Sequence, residues 1–323
     1  MSKILILGSE GYLGSILVSY LLGKRNSIIG VDRCFFGRNN PNNLQNYKLI
    51  KTDYKNLSRE FFMQFNYIID LINISNDPAS ELNKKFTYQT NYTNKVKLLN
   101  KIKKNKNIKR YIYMSSCSVY GRNSSLTSER SIPRPFSLYS KLCLKYEKYL
   151  KKNKRINHTI LRLGTLYGWS KRMRYDLAIN KIIRDMIFTK KVEILGGTQF
   201  RFFCFNEFAC QIINKILLDE TNKHLNKIYN IGVFNTNIIS LTKKILKLTK
   251  LKNINIIQEK HNIDERSYKV SLNSSKKLAS KRYNFNNYVS KSIVKTFKAI
   301  RRDKNPFDKK KITLNIYKDF LSI

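Results

Sequence analysis

A short apolar run, Ile4-Leu5-Ile6-Leu7, leads directly into Gly8-Ser9-Glu10-Gly11-Tyr12-Leu13-Gly14, and an amphipathic stretch begins as that loop ends. Few junctions constrain a chain more. A strand that is apolar on both faces must be covered by helices on both sides. Glycines at G-x-x-G-x-x-G spacing let the backbone turn tightly, approach a pyrophosphate and pack a helix closely on the strand. The helix start then offers unpaired N–H groups and a positive dipole end to phosphates. Asp32 closes the next apolar run, 18 positions after Gly14, near the spacing at which a carboxylate accepts from adenosine ribose hydroxyls. Its charge disfavours a 2′-phosphate, although the neighbouring cation Arg33 pulls the other way. These residues predict NAD in preference to NADP.

Short apolar runs continue to alternate with longer amphipathic ones through the first half. Strands are expected at 3–7, 27–32, 47–52, 67–74, 110–115 and 158–163, with helices at 12–22, 57–65, 80–104 and 137–152. That alternation predicts an α/β fold, a Rossmann-type doubly wound parallel sheet. Beyond Gly164 the pattern is less regular, with helical stretches at 174–188, 207–218 and 240–248 and strand-like pieces at 192–195, 202–205 and 227–231. The expected division is an NAD-binding domain over 1–165 and a smaller, mainly substrate-binding α/β region over 166–323. Residues of about 200–235 are expected to return to the first domain. A ligand should sit in the cleft between the two parts.

The chain has 323 residues, with 63 basic and 21 acidic side chains giving a net charge of +42. A nucleic-acid partner is one reading of such a charge. Lysine, however, is spread through nearly every segment beside abundant Asn, Ile, Tyr and Phe, the mixture that A/T-rich codons produce. The densest basic runs, 101–109 and 151–155, fall where helices should end and the dipole favours cations. Nucleic acid is therefore not the expected partner. The five cysteines, 34, 117, 143, 204 and 210, show no C-x-x-C spacing, so neither a disulfide framework nor a metal site is expected. No apolar run is long enough to span a bilayer, and a cytoplasmic protein without a membrane partner is expected. His158, His224 and His261 are scattered, with no accompanying nucleophile or carboxylate pattern.

Several segments together resemble the extended short-chain dehydrogenases/reductases, the NAD-dependent epimerase/dehydratase family. They are Gly8–Gly14, Val31-Asp32, Asp53 after the third strand, Asn91 in the long helix, the run from Tyr113 to Gly121 that contains Ser115, Ser116 and Tyr120, and the run from Leu161 to Gly168. Further likeness lies in Arg172-Met173-Arg174-Tyr175-Asp176-Leu177 and in the run from Asp264 to Val270. The resemblance implies NAD-assisted chemistry on a nucleoside-diphosphate sugar, with Ser116 holding a substrate hydroxyl and Tyr139 acting as base. It also implies cofactor contacts from Gly8, Gly11, Tyr12, Leu13, Gly14, Asp32, Arg33, Asp53, Tyr54, Asn91, Ser115 and Tyr139. For the substrate it implies Ser116, Tyr120, Arg201 and Arg266. Arg266 suits a diphosphate, and Arg201 stands at, or one place from, the family's usual arginine. Tyr120 and Tyr167 are read either as cleft lining or as ordinary packing. A homodimer formed by the long helix near Asn91 and the helix carrying Tyr139 is a further implication.

One departure separates binding from chemistry. A phenol ionises near pH 10 and needs a nearby cation to serve as a base near neutrality. The family places a lysine four residues after the tyrosine, on the same helical face, whereas this chain has Cys143. At ~100° per residue, Lys141 and Lys145 point to other faces, about 200° and 240° from Tyr139. The Tyr-x-x-x-Lys pairs 20/24, 47/51 and 167/171 fall on a helix, a strand and a loop and are read as chance. Two readings therefore stay open beside the nucleic-acid one: an epimerase, dehydratase or ketoreductase with altered chemistry, or a nucleotide-binding protein that has lost turnover. The basic segment after Arg301 carries no assigned role.

Overall fold

The computed structural model describes residues 3–24, 26–41, 44–259, 266–279 and 284–321; His261, Asp264 and Glu265 lie outside them. Seven parallel strands form the central sheet in the order Lys227–Ile231, His158–Leu163, Arg110–Ser116, Tyr67–Asp70, Lys3–Leu7, Ser27–Asp32 and Tyr47–Lys51. Ile4 to Leu7 are buried on both faces. Tyr12–Leu22 packs on one side through Leu13, Leu17, Val18 and Leu21, and the other side is sealed by Leu98, Leu99, Ile102, Tyr146 and Leu150. Crossover helices produce these two covered faces, as a parallel sheet requires.

The helices expected over 57–65 and 174–188 shorten to Arg59–Met63 and Ala178–Phe188, and two further elements come out differently for a plain local reason. The helix expected over 80–104 is broken into Asp77–Leu82, Lys84–Tyr88, a π turn at Gln89–Thr93 and Asn94–Ile102. Asn83 leaves helical geometry, at φ −141° and ψ 94°, and its side chain accepts from the Phe86 N–H to start the next segment; Asx side chains favour such caps over helix interiors. The strand expected over 67–74 ends at Asp70, whose carboxylate accepts from the Ile72 N–H at 3.0 Å and turns the chain.

Lys227–Ile231 joins the central sheet beside His158–Leu163. Phe200–Phe205 instead lies between Phe234–Asn237 and Thr165–Tyr167 in a separate three-stranded sheet. Two further parallel strand pairs are Lys191–Leu195 with Asn255–Glu259 and Arg122–Thr127 with Ser267–Val270. The second pair brings Arg266 towards the segment that precedes the helix of Tyr139. After Arg301 the basic C-terminus forms the helix Thr313–Leu321, which packs against Asp77–Leu82. Its apolar side joins Ile74, Ala79, Phe35, Phe36 and Phe86. No helix among the described residues is long and apolar enough to cross a membrane.

Candidate active site

The glycine loop floors a cleft of about 540 Å³ whose lining residues run from Gly8 to Tyr317. Gly8 sits at φ +84°, and a Cβ at Gly14 would lie 2.1 Å from the Gly8 carbonyl oxygen, so a side chain at either position is incompatible with this turn. Gly8, Gly11, Tyr12, Leu13 and Gly14 all line the cleft. The helix Tyr12–Leu22 starts there with Gly11 as a cap that offers no side-chain acceptor, leaving first-turn N–H groups for a ligand.

Asp32 stands at the loop's edge and accepts from the backbone N–H of Glu10 at 3.0 Å and of Cys34 at 2.7 Å. Burial pushes its pKa up, against the pull of those two donors. The sequence reading missed Glu10, which is buried within the loop itself. Its carboxylate accepts from the N–H groups of Asn39 and Asn40, the Asn40 amide and the Tyr47 hydroxyl, at 2.5 to 2.8 Å. These partners come from a loop and the third strand, so no local spacing announces them. Arg33 and Asp53 pair at 3.5 Å and border a smaller hollow with Lys51, Thr52, Lys55 and Asn56.

At the far end of the cleft Ser116 ends its strand, and Tyr139 lies in the first turn of Leu138–Lys152, capped by the Ser137 hydroxyl. Both line the cleft with Ser115 and Ser118. Ser116 Oγ accepts from the Ser118 N–H at 3.1 Å and hydroxyl at 2.8 Å. Burial and the adjoining Cys143 thiol hold the Tyr139 pKa well above its usual value, while the Ser116 hydroxyl and the more distant Arg174 pull it down. Burial likewise pushes Cys143 up to about 12. Lys141 is exposed, and Lys145 turns outward to donate to the Tyr88 hydroxyl at 2.5 Å, so neither supplies the absent cation.

A lysine that sequence reasoning overlooked lies behind this group. Lys95 is fully buried and donates to both oxygens of Asp70, at 2.6 and 2.8 Å. Its ammonium is 5.2 Å from the Tyr113 ring centroid and within electrostatic reach of Cys143. It sits in a stretch with ordinary helix pattern, so only the fold reveals it as interior.

On the substrate-facing wall, Arg266 ion-pairs with Asp77, and Arg201 donates to the Arg266 carbonyl; both arginines line the cleft. Arg174 pairs with Asp176 at 2.5 Å and donates to Ser75 Oγ at 3.2 Å. Three residues expected at the site, Tyr120, Asn91 and Tyr54, are not among those that line the cleft. Tyr120 is turned away from the cleft, its hydroxyl donating to Asn230 Oδ1 at 2.9 Å and accepting from Arg162, which is held by Glu147. Asn91 is buried and pins Ile74 by accepting from its N–H at 2.8 Å. Tyr54 is buried in the core beneath the sheet. Tyr167 is also packed, against Ser292 at 2.6 Å. Each polar group found a protein partner or an apolar niche that linear spacing does not show. Ser115 lines the cleft while donating to Glu147 at 2.5 Å. His158 is buried on the Ile156 carbonyl and His224 contacts the Tyr229 hydroxyl.

A doubly wound sheet with a glycine-loop cleft at its centre is the architecture of a Rossmann-type, dinucleotide-binding protein. Residues 4–232 match the model of the NAD dependent epimerase/dehydratase family, and the chain belongs to that family. NAD is accordingly its cofactor, and the glycine loop has the shape that the cofactor requires. Similar proteins include the "Uncharacterized UDP-glucose epimerase YtcB" of Bacillus subtilis (strain 168), 28% identical over 67% of this chain and 72% of that one. Protein CapI of Staphylococcus aureus is 25% identical over 67% of this chain and 69% of its own. Among solved structures, MoeE5 in complex with UDP-glucuronic acid and NAD superposes with a TM-score of 0.80 at 22% identity, covering 93% of this chain and 99% of that one. The UDP-N-acetylglucosamine 4-epimerase of Methanobrevibacter ruminantium M1 gives 0.81 at 22% identity, covering 92% and 97%.

Proposed function

We propose that this chain binds a nucleoside-diphosphate sugar, with UDP as the nucleotide, and alters a sugar carbon that bears a hydroxyl. The observation that carries this is the meeting of Ser116 and Tyr139 with the glycine loop in one cleft. UDP is the nucleotide of the sugars associated with YtcB, MoeE5 and the Methanobrevibacter ruminantium 4-epimerase. The glycine loop, through Gly8, Gly11 and Gly14, would hold NAD, which would supply reversible hydride transfer at the sugar carbon. Ser116 Oγ holds the sugar hydroxyl, and the Tyr139 phenolate removes its proton and restores it. Arg266 and Arg201 meet the substrate diphosphate, for which a planar guanidinium is well suited; Arg266 exchanges Asp77 for the ligand as it does so. Asp32 and the Arg33–Asp53 pair face the adenosine end.

A second reading, binding without turnover, rests on Cys143, which leaves Tyr139 without the adjoining cation. The two separate in one experiment on the purified full chain. Retained NAD is measured by absorbance and mass spectrometry, and UDP-glucose, UDP-glucuronic acid and UDP-N-acetylglucosamine are then offered. Conversion of one of them to an epimer or dehydrated product is the expected result. Tight binding of a UDP-sugar with no conversion supports the second reading, and absence of both binding and conversion rejects the proposal. A homodimer through the faces near Asn91 and the helix Leu138–Lys152 belongs to the same proposal; a monomeric mass by light scattering would remove it. A cytoplasmic setting is proposed from the five free thiols and would be withdrawn if fractionation placed the protein elsewhere.

A further inference from the structure

Arg172 is a buried cation of the cleft that pairs with no carboxylate among the described residues. It is 4% exposed and lines the cavity. Its guanidinium carbon lies 3.7 Å from the Phe36 ring centroid. One terminal nitrogen donates to Thr313 Oγ1 at 3.0 Å and the other to the Met173 carbonyl at 3.4 Å, while Nε is buried without a partner. The buried arginines 162, 174 and 184 each hold a carboxylate. Arg172 holds none among the described residues; Asp176 and Asp32 lie within its electrostatic reach, but Asp176 is engaged by Arg174 and Asp32 by the backbone N–H groups of Glu10 and Cys34. Burial and Arg174 lower its pKa to about 9, which still leaves it charged at neutral pH. A buried guanidinium without a counter-ion is costly, and an anionic ligand removes that cost.

Its location names the anion. Ser170 donates to the Tyr12 carbonyl at 2.8 Å and shares a 2.8 Å hydrogen bond with Ser15, and the Tyr12 hydroxyl donates to the Gly168 carbonyl at 2.6 Å. Residues 168–170 are thus stitched to the glycine loop and the helix it starts, and Arg172 follows two residues later. Thr313 opens the C-terminal helix, whose Tyr317 meets Phe36 at 5.6 Å and whose Phe320 meets Phe35 at 4.3 Å. Phe35 and Phe36 come directly after the Asp32 segment. The C-terminal helix therefore fixes Arg172 from one side and the chain beyond Asp32 from the other.

We propose that Arg172 is a ligand of the cofactor's diphosphate and that the helix Thr313–Leu321 is the clasp that sets it there. The inference rests on the NAD reading above. The test is calorimetric titration of the full chain and of Arg172→Gln, Arg172→Lys and Thr313→Val with NAD, ADP, adenosine and UDP. Arg172→Gln should weaken NAD and ADP by on the order of 10- to 100-fold and leave adenosine and UDP unchanged. Arg172→Lys should recover part of the loss, since it restores charge but not the planar fork. Thr313→Val should give a smaller loss with faster NAD dissociation, and it keeps the test open should Arg172→Gln fail to fold. Unchanged NAD and ADP affinity in the variants overturns the inference, and a loss confined to UDP assigns Arg172 to the substrate instead. Failure of the unaltered chain to bind NAD would reject the cofactor reading and this inference together; failure of the variants to differ rejects the inference alone.

Discussion

Tyr139→Phe is expected to reduce turnover by on the order of 10²- to 10⁴-fold, the usual worth of a positioned acid–base group, with little change in NAD affinity. The hydroxyl that would carry the proton lies beside Ser116 and the Cys143 thiol, and burial opposes its ionisation. Because the base is the phenolate, a raised pKa means that the rate should climb with pH across the neutral range and into the alkaline one. Cys143→Lys adds a cation one helical turn from Tyr139 and favours the phenolate. It should therefore raise the rate near neutrality and move the rising limb of the pH–rate profile to lower pH. Steady-state kinetics from pH 6 to 10 on the converted UDP-sugar check both changes. A Tyr139→Phe variant with undiminished turnover would remove Tyr139 from the chemistry, and an unmoved profile in Cys143→Lys would show that the thiol is not what limits it.

The parts of this arrangement that sequence reveals are those set by local rules. Ile4 to Leu7 read as a buried strand because no polar residue interrupts them, and Gly8 and Gly14 are legible because one requires positive φ and the other admits no Cβ. The Ser137 cap and the apolar stripe of Leu142, Tyr146 and Leu150 make the helix of Tyr139 equally plain. What stayed hidden depends on contacts across long separations. Tyr120 looks like a loop aromatic beside the cleft until Arg162 and Asn230 are seen to hold its hydroxyl. Glu10 looks like a solvated loop carboxylate until Asn39, Asn40 and Tyr47 close around it. Thr313 is 141 residues from the Arg172 it contacts, and the basic composition of that tail gives no sign of a helix laid along the cofactor cleft.

Lys95 shows how such a hidden contact governs stability. Its ammonium and the Asp70 carboxylate are both fully buried, and the Tyr111 hydroxyl adds a 2.6 Å hydrogen bond to Asp70. Burial pushes the lysine's pKa down, and the adjacent carboxylate opposes that shift. Removing one partner leaves the other as an unpaired interior charge, so Lys95→Met is expected to cost about 3–5 kcal/mol. Replacing both, as Lys95→Met with Asp70→Asn, should recover much of the loss because no buried charge remains. The pair is also a poor substitute for a lysine at position 143, since Asp70 already neutralises it at hydrogen-bond distance. Lys95 nevertheless lies within reach of Cys143, which gives the two sites a testable coupling. Cys143→Lys alone places a second ammonium near the first, whereas with Lys95→Met it offers Asp70 a new counter-ion. The double variant should therefore be more stable than the sum of the single changes predicts, by more than the ~0.5 kcal/mol within which independent sites add. Urea unfolding of the four proteins measures this directly; strict additivity would show that Asp70 and residue 143 are electrostatically separate.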